Sequence, residues 1–179
     1  MADESTASLI EGRFLRFATR PFALPDRRSV LIDWVGHPGA AAVVAIDGEG
    51  RVCLLRQYRP VIGTWMWEIP AGKRDGDEAP ERTARRELAE ETGLTARLWD
   101  VLGPIWPSPA FCDEIIHLFC ARDLVGGMSR LDEDEHLEVH WRTPAELAAM
   151  IRAGEIPDSK TLAALMRASV AGLIAFPVP

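Results

Sequence analysis

GKRDGDEAPERTARRELAEETGL, Gly72 to Leu94, carries the strongest structural signal in the chain. A loop rich in Gly and Asp passes into a helix. Asp77 or Glu78 stands near the cap, Pro80 suits a first-turn position because no helical hydrogen bond needs its missing N–H, and Gly93 stops the helix after Thr92. At 100° per residue, Glu87, Glu90 and Glu91 share an arc of roughly 100°, since positions three and four apart lie on one face. Ala84 and Leu88 form the adjoining face, an apolar seam that can lie on a sheet. Three carboxylates on one arc repel one another, so the face is either fully solvated or neutralised by cations. Carboxylates from consecutive turns are the hard oxygen donors that Mg²⁺ or Mn²⁺ takes. Arg86 can pair with Glu90 and hold its orientation, and Gly72 lets the preceding loop fold back toward the helix.

On the N-terminal side, Val30 to Val35 and Ala41 to Ile46 are largely β-branched and apolar, and Asp47-Gly48-Glu49-Gly50 offers turn chemistry before Arg51 to Tyr58. This predicts a hairpin of residues 41–46 and 51–58. Trp65 to Ile69 reads as a strand ended by Pro70, and residues 72–77 as a loop. Strands follow at 96–102 and 114–121 around a Pro-rich loop, and again at 137–141 after an acidic loop. Thr143-Pro144-Ala145-Glu146 opens a helix with a capping-box pattern, and Asp158 or Ser159 opens another to about residue 171. No repeat or low-complexity segment interrupts them.

A chain of 179 residues can bury one sizeable core. With 47% hydrophobic and 26% charged residues it has an ordinary globular composition, and no apolar run reaches the roughly 20 residues of a membrane span. A net charge of −7 argues against a nucleic-acid polymer as partner. It does not argue against a small anion, provided metal ions lie between the two sets of negative charge. Acid in Met1 to Thr6, where a leader carries Lys or Arg, predicts the cytoplasm. Cys53, Cys112 and Cys120 lack CxxC spacing and read as small core residues in a reducing compartment. His136 and His140 have helix-like spacing in a loop-to-strand segment, which does not make a zinc site.

Gly72, five residues, Glu78, seven residues, Arg86-Glu87-Leu88, one residue, Glu90-Glu91, one residue, Gly93-Leu94 is an unbroken match to the Nudix box, and the chain resembles the Nudix hydrolases. The resemblance implies an α/β (α+β) fold, an α/β/α sandwich with a mixed β-sheet in residues 36–175. An N-terminal antiparallel β region, residues 1–35, would precede it and serve as the arm of a homodimer. It also implies metal-dependent hydrolysis of a diphosphate linked to a nucleoside, with Ala71 (through its carbonyl), Glu87, Glu90, Glu91 and Glu135 as metal ligands. Glu78 is divided between metal ligand and partner of the helix start.

Outside the box, His37-Pro-Gly-Ala40, Gln57-Tyr58-Arg59-Pro60 and Trp67-Glu68-Ile69-Pro70-Ala71-Gly72 resemble the ADP-ribose pyrophosphatase branch. Arg59 and Glu68 thereby inherit places near the substrate, and Trp34 and Phe111 places near its base. Ser108 to Glu114 resembles the branch's SPGFSDE loop, departing from it at Ala110 and Cys112. The acidic stretch Leu131 to Val139 resembles the loop that brings a carboxylate over the metals. It nominates Glu133 as base and Glu135 as a further ligand, beside Glu90 and Arg86 in the catalytic set. The expected reaction converts ADP-ribose or a related nucleoside diphosphate sugar to a nucleoside monophosphate and a sugar phosphate. Another nucleoside diphosphate derivative, or a silent nucleotide sensor, is the alternative.

Overall fold

A computed structural model describes residues 10–127 and 136–177. In chain order the elements are β1 (Ile10–Glu11), β2 (Arg16–Ala23), β3 (Ser29–Gly36), β4 (Ala40–Ala45), β5 (Val52–Arg59), β6 (Thr64–Glu68), β7 (Ala71–Lys73), α1 (Pro80–Thr92), β8 (Leu94–Ile105), β9 (Ile116–Gly126), β10 (Leu137–Arg142), α2 (Pro144–Arg152) and α3 (Ser159–Val170).

The centre is β4, whose sequence AAAVVA has no polar side chain to expose. No residue of it is more than 7% exposed. Its alternate side chains enter two cores, as the period of a strand requires. Ala40, Ala42 and Val44 join Leu118, Leu147 and Leu165 under α2 and α3, while Ala41, Val43 and Ala45 join Ala84 and Leu88 of α1. Helices therefore cover both faces, which is the α/β/α sandwich with a mixed sheet. The sheet order is β7-β4-β9-β8, with β4 parallel to β9 and the other pairs antiparallel. Ala84 and Leu88 do anchor α1, as their spacing suggests.

The expected hairpin is only half formed. Asp47 and Arg51 close the turn, with Asp47 N donating to Arg51 O at 3.0 Å, and Gly50 takes the left-handed conformation the turn needs (φ 75°). Past one bridge, Ile46 to Val52, the strands separate, and β5 joins a second sheet, β10-β5-β6. The cause is polarity. β4 is apolar on both faces and is stable only as an inner strand, whereas β5 changes at Arg56 from buried apolar residues to exposed and half-buried polar ones.

Helix α1 starts at Pro80 with Ala79 as cap residue, later than Asp77 or Glu78, and no side chain caps it. Glu78 instead reaches into the first turn, accepting a bond from Thr83 Oγ1 at 2.9 Å. Gly72 and Lys73, expected to begin the loop, instead belong with Ala71 to a strand on the edge of β4. The capping box of α2 is present, and Asp158 caps α3. An antiparallel sheet, β1-β2-β3, precedes the sandwich and is tied to it where Val35 N donates to Phe111 O at 2.8 Å. Among the described residues no helix is long and apolar enough to cross a membrane.

Candidate active site

Because β7 pairs with β4 while α1 lies on β4, the carboxylate face of α1 comes down on Ala71 and Gly72. The Ala71 N–H donates to Glu91 Oε2 at 2.9 Å, and Glu91 is 1% exposed. Glu87 lies so close to Gly72 that a Cβ there would stand 2.0 Å from its carboxylate carbon. The glycine therefore serves close approach in a strand and not the bending of a loop, which corrects the sequence reading.

Arg86 organises the carboxylates. Its Nη1 donates to Glu87 Oε1 at 2.7 Å and to Glu90 Oε2 at 2.9 Å, and its Nη2 to Glu78 Oε2 at 3.1 Å and to the Lys73 carbonyl at 2.9 Å. Burial pulls the guanidinium pKa down, but the bonds from Glu78, Glu90 and Glu87 more than reverse this and raise it. In turn the bond from Arg86 holds the Glu78 carboxyl below its ordinary value. The expected Arg86–Glu90 pair is present, and Arg86 hydrogen-bonds two further carboxylates, Glu87 and Glu78, with Asp75 at 3.7 Å.

Among the described residues no three carboxylate, imidazole or thiolate groups converge closely enough to cage a metal, because the Arg86 guanidinium lies among them. The donor chemistry nevertheless fits a hard divalent cation. Glu87, Glu90 and Glu91 all offer oxygen, and the missing side chain of Gly72 makes the room beside Glu87.

Beyond Ala71, at the end of β6, lies a second charged group. Glu68 is 2% exposed, and Arg59 grips its carboxylate through Nε at 2.7 Å and Nη2 at 2.5 Å. Lys160 bonds the same carboxylate and lies 3.0 Å from Asp158, the cap of α3. Thr161 Oγ1 accepts the Ile69 N–H at 2.9 Å, fastening α3 to the end of β6. Burial pushes Glu68 up, but Arg59 and Lys160 together hold it below the usual carboxylate range. The Glu68 bond raises Arg59 against the opposing effect of burial, with Asp158 and Glu91 as smaller causes.

Lys160 and Thr161 were not singled out from the sequence, although one signal was present. A lysine in the first turn of a helix opposes the helix dipole and so calls for a partner.

Trp34 and Phe111 are joined by Val35, which bonds the backbone of the 108–113 loop on both sides. Trp34 is 9% exposed, donates Nε1 to Asp113 Oδ2 at 3.0 Å and carries Arg20 over its ring at 4.7 Å. Phe111 is exposed. Glu133 and Glu135 lie outside the described residues. His140 packs edge-on against Trp67 and lies 3.2 Å from Glu138. Cys53 and Cys120 are buried core residues and Cys112 is half-buried.

The NUDIX domain family profile matches residues 36–165. An ADP-ribose pyrophosphatase of Bacillus subtilis (strain 168) is 36% identical over 88% of this chain and 86% of its own length. A methanol dehydrogenase activator of Bacillus methanolicus is 38% identical over 89% and 88%. An ADP-ribose pyrophosphatase of Mycobacterium tuberculosis (strain ATCC 25618 / H37Rv) is 34% identical over 90% and 80%. With a profile spanning most of the chain, laid over the helix whose carboxylates face Gly72, the protein belongs to the Nudix hydrolase family.

Proposed function

We propose that this enzyme hydrolyses the diphosphate bond of ADP-ribose or a closely related nucleoside diphosphate sugar, with Mg²⁺ or Mn²⁺. The observation that carries the reading is the junction at Glu68 to Gly72, where an Arg-bearing cluster adjoins a carboxylate face. Two relatives named as ADP-ribose pyrophosphatases, each matching most of both chains, support the choice of substrate.

Glu87, Glu90 and Glu91, with the Ala71 carbonyl, would hold the cation. Bound there, it would polarise phosphoryl oxygens and lower the pKa of the attacking water. Arg86 keeps Glu87 and Glu90 aimed. Arg59 presents to phosphate the part of its guanidinium that Glu68 does not occupy. Glu133 takes the proton from the attacking water, Glu135 adds a donor to the cation, and Trp34 and Phe111 border the base. The oxygen of water bonds to phosphorus, the anhydride bond breaks, and the leaving phosphate departs with its electron pair.

Residues 1–35 form the arm of a homodimer, and residues 36–175 the hydrolase domain. Exposed Phe14, Phe17 and Leu31 in the N-terminal region support that assembly. The cytoplasm suits Cys53 and Cys120, whose burial pushes their thiols up to about 12 and leaves them unreactive.

The test is a panel of ADP-ribose, UDP- and GDP-sugars, NADH and diadenosine polyphosphates with each metal. ADP-ribose should give the highest kcat/KM, and dominant turnover of a nucleoside triphosphate would overturn the proposal. The relative named as an activator favours a second reading, a nucleotide-binding modulator of a partner protein. Tight binding without turnover across the panel would select it.

A further inference from the structure

Lys160 occupies an unfavourable place for a lysine. It lies in the first turn of α3, at the positive end of the helix dipole, yet its side chain is only 11% exposed. A flexible, strongly hydrated ammonium loses both water and rotamer freedom there, a cost that its partners must offset. Its position makes sense through what it touches. Glu68 Oε2 accepts from Lys160 on one side and from Arg59 Nη2 on the other, while Oε1 accepts from Arg59 Nε. The remaining terminal nitrogen of Arg59, Nη1, has no partner among the described residues, and the Arg59 side chain is 40% exposed.

We propose that Lys160 is a positioning residue for substrate phosphate, acting through Glu68 to set the plane and the available charge of the Arg59 guanidinium. Held only by Arg59, the carboxylate would follow a half-exposed side chain. Held also by Lys160, whose ammonium lies 3.0 Å from Asp158 at the cap of α3, it is fastened to that helix end, and Arg59 is confined to one orientation. Lys160 also shares Oε2, so less of the Arg59 charge is spent on Glu68. Both effects act on an interaction made with bound substrate, so they bear on KM before kcat. The proposal rests on the reading that Arg59 meets the diphosphate.

The test uses the intact protein and whichever nucleoside diphosphate derivative it turns over best. Lys160→Met should raise KM about 10-fold with kcat changed less than about 2-fold. Lys160→Arg, which keeps the cation, should return KM to within about 3-fold of the starting protein. Thr161→Val breaks the other link between α3 and β6 and should leave KM within about 2-fold. An unchanged KM in Lys160→Met overturns the proposal. So does an equal rise in Thr161→Val, which would mean that docking of α3 is what matters. If Lys160→Met does not fold, Lys160→Gln carries the same comparison.

A second readout does not need turnover. The acid limb of the thermal unfolding midpoint against pH should move to higher pH in Lys160→Met, because Glu68 loses one of two cations. An unmoved limb refutes the coupling. A starting protein that hydrolyses nothing in the panel, with the limb moved, refutes the hydrolase reading alone.

Discussion

Two groups of buried charge meet at Glu68 to Gly72, and they are assembled in opposite ways. Around Arg86, four carboxylates (Asp75, Glu78, Glu87 and Glu90) pair with one guanidinium, so among the described residues negative charge is in excess. Around Glu68 the signs alternate as Arg59, Glu68, Lys160 and Asp158, and the charges balance. An unbalanced group buried at a surface calls for a cation from solution. A balanced group is complete and can act as a frame. The first is therefore suited to bind a metal and the second to hold an arginine still, although each is an Arg–Glu cluster.

Excess negative charge that held no cation would be idle, and substitutions on that face test this. Glu91→Gln keeps the shape and removes one charge, and kcat measured with Mg²⁺ should fall by about 10³-fold. Full activity would place the cation elsewhere. Next in size, Gly72→Ala puts a methyl 2.0 Å from the Glu87 carboxylate carbon. Overpacking should cost about 1–3 kcal/mol in a urea titration, and displacement of Glu87 about 10²-fold in kcat.

On the balanced side, Glu68→Gln leaves Arg59 and Lys160 without their shared anion. Stability should drop by about 2–3 kcal/mol, at or just below the range for a broken buried pair because Arg59 is partly in water. The sign of the pH effect follows from the lowered carboxyl. The stabilisation by Glu68 is complete above the unfolded value of about 4.3 and is lost as pH falls through the lower folded value. Glu68→Gln should flatten that acid limb. The smallest effect sharpens the contrast. Arg82 faces the same Glu78 as Arg86, at 3.6 Å, but is 83% exposed. Arg82→Ala should change stability by less than about 0.5 kcal/mol and leave kcat unaltered.

The two groups also differ in how far the sequence reveals them. Glu87, Glu90, Glu91 and Arg86 are neighbours on one helix, so the helical period alone puts them together, and the strand–loop–helix order around them follows from Pro80 and Gly93. Lys160 reaches Glu68 across 92 positions, and nothing local records that meeting except a lysine on the wrong end of a helix. The Asp47–Gly50 turn was legible for the same local reason. The destinations of β4 and β5 were not, because pairing is decided by which faces must be buried and by strands supplied much later in the chain. The role of Gly72 was misread because its necessity lies in a carboxylate fifteen residues away, not in its own backbone angles.

β4 has one more consequence. Ala41 lies opposite Gly72 in register and shares a core with Ala84 and Leu88, so at that level the strand contributes no more than a methyl group beneath the helix. Spacing of that kind works like a shim: it sets the height at which Glu87 and Glu91 stand above the edge strand. The tolerance of the proposed metal site is thus set by some of the smallest side chains in the molecule. A larger residue at Ala41 would lift the carboxylates without altering any group that does chemistry.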